Sequence, residues 1–305
     1  MKNTFIIIII ALLLPLVLIT NKAKQPKNGQ TKPTIAVSTF SLYEITKHIA
    51  DGTVKTFMIL PFGVDAHSYE PTPKQVIKLY KSDLVIYSGA GLEPWINGFE
   101  FKNRAIDMSL HVDLKELGAC SHEHNHDEES NLDPHYWLDI QNMIKATELI
   151  AKELTNLFPK NRKLYVKNRD SYINMLMNLD ADYRKKLSTC KKDTIVVNHN
   201  AFSYLSNRYG FDVEALSGLS PEAEPSAKSM ANLIEHVREY KLKTIFFESF
   251  VSDKAIKSIA NEAKVNVDVL QPLGNITADE AKQMLSYEDI MRSNLGKISK
   301  ALECR

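Results

Sequence analysis

Three histidines stand where strands of an alternating strand and helix pattern are predicted to end. His67 follows the apolar stretch 54–60, His135 lies in NLDPHYWLD, and His199 ends TIVVNH. They are too far apart in the chain for one helix or turn to join them, so only the tertiary fold can. Neutral imidazoles suit Zn²⁺ and other late divalent metals, and three of them leave one coordination position open. A single such histidine is more often a hydrogen-bonded core or surface residue, and it is the shared topological position that favours a metal site.

Two of these histidines share a local pattern. The segment DAHSY (65–69) resembles DPHYW (133–137), with an aspartate two residues before each histidine. A carboxylate at that distance can orient the imidazole ring through a hydrogen bond, as it does behind many metal-ligating histidines.

The elements that must position these residues alternate in type along the chain. Stretches of apolar, β-branched sequence separated by helical periodicity predict strands at 34–39, 54–60, 83–90, 104–109, 194–199, 244–249 and 265–270. Such alternation predicts parallel sheets with crossover helices, which bind ligands at the carboxyl ends of their strands.

A long helix is predicted between the two runs of strands. Residues 160–190 contain neither glycine nor proline, and a helix of that length would extend roughly 45 Å. Its apolar positions keep no heptad, so a rigid spacer is a better interpretation than a coiled coil. We therefore predict an α/β protein with an N-terminal lobe at 34–158, a linking helix at 159–190 and a C-terminal lobe at 191–305.

Charge and composition narrow the class of protein. The 305 residues include 38 Lys and Arg against 37 Asp and Glu, and 44% are hydrophobic. A chain of this length and composition can bury a full core. Its near-neutral balance, without a basic run, gives no support for a nucleic-acid surface.

The first residues predict export. Lys2 precedes an apolar stretch from Phe5 to Ile19, which has the length of a signal peptide and is short for a membrane span. We predict a signal peptide or N-terminal anchor at 1–23 and a polar tether at 24–33, and both cleavage and retention of the segment stay open. No cysteine follows the stretch, which argues against a lipid anchor. The remainder is expected in the periplasm or another extracytoplasmic location.

The chain has three cysteines: Cys120, Cys190 and Cys304. No CxxC pair exists, so a zinc ribbon is excluded. An oxidising compartment permits one disulfide. Cys190 and Cys304 are candidates, although the sequence alone does not bring them together.

Five motifs resemble those of the metal-binding proteins of bacterial ABC importers, the cluster A-I or cluster 9 family, and in particular its zinc (ZnuA-type) branch. They are VDAHSYEPTP, DPHYWLD, NHNAFSYLSNRYGF, FFESFVSDKAIKSIA and LQPLG, in the family's order and spacing. The resemblance implies two similar α/β lobes joined by a rigid helix, with the metal in the cleft between them. It also implies capture of Zn²⁺ and its delivery to a membrane permease, and we expect a monomer that binds no nucleic acid.

The resemblance also implies a ligand set. His67, His135 and His199 match the first three ligand positions, and a histidine at the third favours zinc because manganese-binding relatives typically have glutamate there. Many relatives have an aspartate at the fourth position, whereas this chain has Gln271. We expect three nitrogens and a water on the metal, with Gln271 close by.

A carboxylate could replace the missing aspartate. Glu70 and Glu248 are the candidates, and Glu248 could equally be a structural residue at the end of its strand.

A histidine-rich loop interrupts the resemblance at 119–131. It contains SHEHNHDEES, with His122, His124 and His126 at alternate positions. Histidines so spaced do not share one face of a helix, and the segment has no apolar face to pack. We predict an accessory metal-binding loop outside the main site. A zinc scavenger, sensor or chaperone, a solvated charged loop and incidental metal binding all stay open.

The residues leave two alternatives to a zinc-binding importer component. A site of three histidines and a water resembles a hydrolytic zinc centre, but the chain has no HExxH helix and no nucleophile elbow. Mn²⁺ or Fe²⁺ could replace zinc in the same fold. We predict a binding protein that is not an enzyme, and the sequence leaves its affinity and its selectivity against Mn²⁺ open.

Overall fold

Four parallel strands form the N-terminal sheet in the computed structural model, which describes residues 32–101, 103–116, 132–217, 226–248 and 254–305. The strands are β1 (Thr34–Val37), β2 (Lys55–Met58), β3 (Leu84–Tyr87) and β4 (Arg104–Asp107). Their order is β2-β1-β3-β4 and every pair is parallel. All four predicted strands are confirmed in shorter form. The central strands read as continuous apolar runs because both of their faces are buried.

Three helices accompany this sheet: α1 (Phe40–Ala50), α2 (Pro73–Tyr80) and α3 (Ile140–Leu157). The α2 helix begins at a capping box in which the Thr72 hydroxyl accepts from the Gln75 backbone N–H. The N-cap of α3 is Asp139, whose carboxylate accepts from the backbone N–H of Gln141. These caps satisfy backbone donors that the first helical turn leaves open.

A small antiparallel hairpin was not predicted from the sequence. It pairs β5 (Lys115–Glu116) with β6 (Leu132–Asp133). Strands of two residues are too short to show an alternating pattern, which is why neither was predicted. The β6 strand ends two residues before His135, and so places that histidine at a strand end as expected.

The long helix α4 (Arg162–Leu187) has 26 residues, or about 39 Å of rise. It lies inside the predicted range and contacts α1, α3, α5 (Ser203–Tyr209) and α9 (Tyr287–Ala301). Its buried positions recur at spacings of three, four or seven residues and include three tyrosines: Tyr165, Tyr172, Leu176, Leu179, Tyr183 and Leu187. One face of the helix is therefore part of the core.

The second half of the chain repeats the α/β pattern. The strands β7 (Thr194–His199) and β8 (Asp212–Ser217) pair in parallel, as do β9 (Thr244–Phe247) and β10 (Asn266–Val269). The β9 strand packs beside β7. The remaining helices are α6 (Ala227–Glu239), α7 (Lys254–Ala263) and α8 (Ala278–Lys282). Neither the strand β8 nor the five-residue helix α8 was predicted.

Two apolar cores meet at β7. Ile195 and Val197 belong to the large core, which includes residues of β1, α1, α3, α4, α5 and α9. Val196 belongs to a smaller core formed with β8, β9, α6 and α7. Because side chains alternate along a strand, His199 lies on the side of Ile195 and Val197, toward the large core.

A disulfide joins Cys190 to Cys304, the two cysteines that the sequence left as candidates. It links the segment after α4 to the last residues of the chain. Backbone hydrogen bonds from Lys191 and Lys192 to the Leu302 carbonyl lie next to it.

The described helices include none that is both long and apolar enough to cross a membrane. The predicted signal segment at 1–23, the tether up to residue 31, Cys120 and the loop with His122, His124 and His126 lie outside the described residues. The two lobe boundaries stay predictions.

Candidate metal centre

The structure brings His67, His135 and His199 together. His67 lies in the loop after β2, His135 lies two residues after the end of β6, and His199 is the last residue of β7. The Nε2 atoms of His67 and His135 are 3.4 Å apart. The ring of His135 has its centroid 5.3 Å from that of His67 and 5.3 Å from that of His199. All three side chains line one cavity.

The distance between the Nε2 atoms of His67 and His135 fits a shared ion. Zinc–nitrogen bonds of about 2.0–2.1 Å at a tetrahedral angle place two ligand nitrogens about 3.4 Å apart, which is the separation of the two Nε2 atoms. Within the described ranges, no group of three or more His, Cys, Asp or Glu side chains is arranged so that it could hold a metal ion. The His135 ring packs against the rings of both His67 and His199.

His135 is held by the aspartate two residues before it. The Asp133 Oδ1 atom accepts hydrogen bonds from the His135 ring Nδ1 at 2.8 Å and from its backbone N–H at 2.9 Å. Burial would raise the pKa of Asp133, but the hydrogen bonds and charge of His135 outweigh it and lower that pKa below its ordinary value. With Nδ1 engaged, Nε2 is the nitrogen that a metal can use.

His199 is held by a carboxylate from another strand. Glu248 follows β9, and its Oε1 atom pairs with the His199 Nδ1 atom. Both side chains are about 1–2% exposed. The sequence offered Glu248 as a possible replacement ligand or a structural residue, and the structure places it both behind the His199 ring and on the cavity wall. A charged residue ending the apolar run TIFF was the available signal, but nothing local indicates that it meets β7.

His67 lies in a turn that matches the one at His135. The Asp65 Oδ1 atom accepts from the backbone N–H of His67 at 3.2 Å, as Asp133 does for His135. Burial lowers the pKa of the His67 ring well below its ordinary value, and the neighbouring His135 and His199 lower it further. The ring is therefore neutral at neutral pH, which is the state that a metal requires.

The cavity is small and its remaining walls are largely apolar. It encloses about 20 Å³, enough for one ion or one water. The Trp137 ring meets His135 edge-to-face at 5.4 Å, and its Nε1 donates to the Pro272 carbonyl at 2.7 Å. A Cβ at Gly274 would lie 3.2 Å from the Trp137 ring, so the absence of a side chain there lets the loop after β10 approach the site closely.

Gln271 does not line this cavity. Its Nε2 atom donates to both carboxylate oxygens of Glu280, at 3.2 and 3.1 Å. The lining residues that carry side-chain oxygens are Asp65, Glu248 and Asn275. Of the oxygen donors considered for the fourth position, the structure brings Glu248 to the cavity, and neither Gln271 nor Glu70 is among the lining residues.

Comparison with known proteins identifies the family of this chain. The family profile described as zinc-uptake complex component A, periplasmic (ZnuA), matches residues 35–301. The zinc-binding lipoprotein AdcA of Streptococcus pneumoniae is 34% identical over 278 residues, which cover 88% of this chain and 56% of AdcA. The chain thus spans about half the length of that relative. The high-affinity zinc uptake system protein ZnuA of Bacillus subtilis is 31% identical over 277 residues, covering 88% of this chain and 87% of ZnuA.

The fold is shared with a solved structure. The Zn(II)-bound ZnuA-like domain of Streptococcus pneumoniae AdcA superposes with a TM-score of 0.75 at 32% sequence identity, covering 89% of this chain and 99% of that domain. The predicted two-lobed α/β architecture is thereby confirmed. On the strength of the profile match and the overall identity, this chain belongs to the ZnuA family of zinc-uptake components.

Proposed function

We propose that this protein is the substrate-binding component of a zinc ABC importer, which captures Zn²⁺ outside the cytoplasmic membrane and delivers it to the membrane permease. The observation that carries the proposal is the 3.4 Å separation of the His67 and His135 Nε2 atoms beside the ring of His199. Zinc is the cargo and not a resident cofactor.

Each side chain has a role in this proposal. His67, His135 and His199 supply nitrogen ligands, while Asp133 and Glu248 hold two of the rings by their Nδ1 atoms. The fourth position is left to water or to an oxygen of Glu248. An all-imidazole set of nitrogens favours Zn²⁺ over Mn²⁺, which prefers carboxylate and carbonyl oxygens.

Capture fits the cavity better than catalysis does. The water-accessible space beside the three histidines is about 20 Å³, which suits one ion or one water. An enzyme would also need a pocket that buries most of its substrate. The protein therefore acts as a carrier, and its partner is the permease.

Competitive titration of the purified protein with Zn²⁺ and Mn²⁺ tests the proposal. We expect one tight site per chain with zinc bound more than about tenfold more tightly, in line with ligand softness and the general order of metal affinities. Tighter binding of Mn²⁺, or no tight site at all, would contradict it. Restoration of zinc-limited growth in a host that lacks the protein tests delivery to the permease.

The accessory role of the histidine-rich loop is tested separately. Deletion of residues 121–130 is expected to leave the tight site and to reduce the number of weakly bound metals. Loss of the tight site on deletion would show that the loop and the histidine cluster have the opposite roles.

A further inference from the structure

The segment from Asp133 to Asp139, which carries His135, is held by side chains of α5. The Ser203 hydroxyl donates to the Oδ2 atom of Asp133, and the Tyr204 hydroxyl donates to the Asp133 carbonyl at 2.7 Å. At the other end, the Nη1 atom of Arg208 lies 3.2 Å from the Asp139 carboxylate. One short helix thus contacts both ends of the segment.

The same helix begins close to His199. The chain turns directly after β7, and Ser203, the first residue of α5, follows His199 by one short loop. The Ser203–Asp133 bond therefore joins the segment that carries one ring to the carboxylate that orients another. That carboxylate is 1% exposed, so water cannot readily replace a lost partner.

We propose that Ser203 is a positioning residue for metal capture. This proposal rests on the proposed function. Its new element is that the hydroxyl of Ser203, acting through Asp133, sets the position of the His135 ring relative to His199. The Oδ1 atom of Asp133 is committed to His135 and its Oδ2 atom to Ser203. The carboxylate plane, and with it the direction of the ring, is fixed from both sides.

Tyr204 binds the backbone of the same segment, since its hydroxyl donates to the Asp133 carbonyl. Its hydroxyl also accepts the Lys115 backbone N–H at 2.9 Å, so it connects both strands of the β5–β6 hairpin. Tyr204 holds the hairpin, whereas Ser203 holds the carboxylate itself. Only loss of the Ser203 bond frees the carboxylate to rotate while the hairpin stays in place.

Four proteins test the proposal: the wild type, Ser203→Ala, Ser203→Thr and the matched control Ser206→Ala. Ser206 lies on the same helix, and its hydroxyl donates to the Ser203 carbonyl without reaching Asp133. We expect Ser203→Ala to weaken zinc binding about tenfold, the effect of losing a hydrogen bond to a charged group, through faster dissociation in a chelator chase. Ser206→Ala should stay within about twofold, and Ser203→Thr, which keeps the hydroxyl, should recover most of the affinity.

A double substitution separates positioning from simple structural damage. Because Ser203 acts through Asp133, Ser203→Ala should cost no more than about twofold in zinc affinity when Asp133→Asn is already present. Additive losses would overturn the proposal, and so would zinc affinity of Ser203→Ala within twofold of the wild type or an equal loss in Ser206→Ala. Absence of tight zinc binding in the wild type would instead overturn the proposed function.

Discussion

The two carboxylate–histidine pairs of the site are alike in chemistry and different in origin. Asp133 and His135 are two residues apart in one turn, and the aspartate bonds both the ring and the backbone N–H of its histidine. Glu248 and His199 come from neighbouring strands of the second half of the chain. Local sequence thus specifies the first pair, while only the packing of β9 beside β7 creates the second.

The difference extends to how each ring is held. Asp133 is fixed by His135 and by the hydroxyl of Ser203, and it lies only two residues from the ring that it orients. Glu248 must reach its partner across two strands on a longer side chain with more rotatable bonds. The pair made by tertiary packing should therefore be the more sensitive of the two.

Removal of a ring is expected to have the largest effect. His199→Ala takes away the one imidazole that the second half of the chain contributes to the proposed set of three, and zinc affinity should fall by more than about a hundredfold, beyond the loss that outer-shell changes cause. Competitive titration measures it. The exposed His111 provides the control, and His111→Ala should bind zinc as the wild type does. Unchanged binding by His199→Ala would remove His199 from the site.

Neutral isosteres of the two carboxylates compare the pairs directly. We expect Glu248→Gln to weaken zinc binding by about a hundredfold and Asp133→Asn by about tenfold, the two ends of the range for partners of metal-bound histidines. The asparagine oxygen can still accept both bonds within its turn, whereas the glutamine must be ordered across strands. Equal losses of zinc affinity in the two variants, measured under the same titration conditions, would show that the local turn does not make the Asp133–His135 pair less sensitive to substitution.

The buried carboxylate of Glu93 differs from that of Asp133 in the direction of its pKa shift. It accepts from the backbone N–H groups of Ser88 and Gly89 at 2.8 and 3.0 Å, and burial raises its pKa to about 7 from 4.5. Between these two pH values, Glu93 is therefore protonated in the folded protein and ionised in the unfolded chain, and the tighter binding of the proton stabilises the fold. This contribution to stability is present in full below pH 4.5 and is lost as the pH rises through 7.

Urea unfolding of the wild type and Glu93→Gln at pH 5.5 and pH 8 tests this contrast. Relative to the variant, the wild type should lose roughly 2 kcal/mol of unfolding free energy between the two pH values. The pH dependence has the opposite sign for Asp133, because its pKa is lowered in the folded protein. Its contribution to the free energy of unfolding is therefore lost as the pH falls. A difference between wild type and variant that is independent of pH would show that Glu93 is ionised throughout.

The smallest effect is expected at Gln271. Its side chain bonds Glu280, and Gln271→Asp would place a second carboxylate near the first, so the melting temperature should fall. Zinc and manganese affinities should stay within about twofold, equivalent to roughly 0.4 kcal/mol. Tighter binding, above all of Mn²⁺, would restore Gln271 to the fourth ligand position that family resemblance suggested.

Much of the fold follows from local pattern. The strand 194–199 was predicted to the residue, and the first four strands and the long helix were predicted within a few residues at each end. Long apolar runs and helical periodicity are strong signals because each reflects burial on a fixed repeat. The hairpin β5–β6 and the helix α8 were not predicted because two to five residues contain too little of any repeat. The strand β8 was also not predicted, and most of its residues are only partly buried, so it lacks a long apolar run.

The sequence by itself determined the type of site. Three histidines at strand ends, two of them in matching aspartate-containing turns, predicted a metal centre because parallel strands deliver their carboxyl ends to one edge. Only the tertiary structure decided which oxygen atoms accompany them. Glu248 meets His199, and Ser203 meets Asp133, through contacts between distant segments, whereas Gln271 turns to Glu280. Such contacts depend on how the strands and helices pack, and no periodicity within either segment records them.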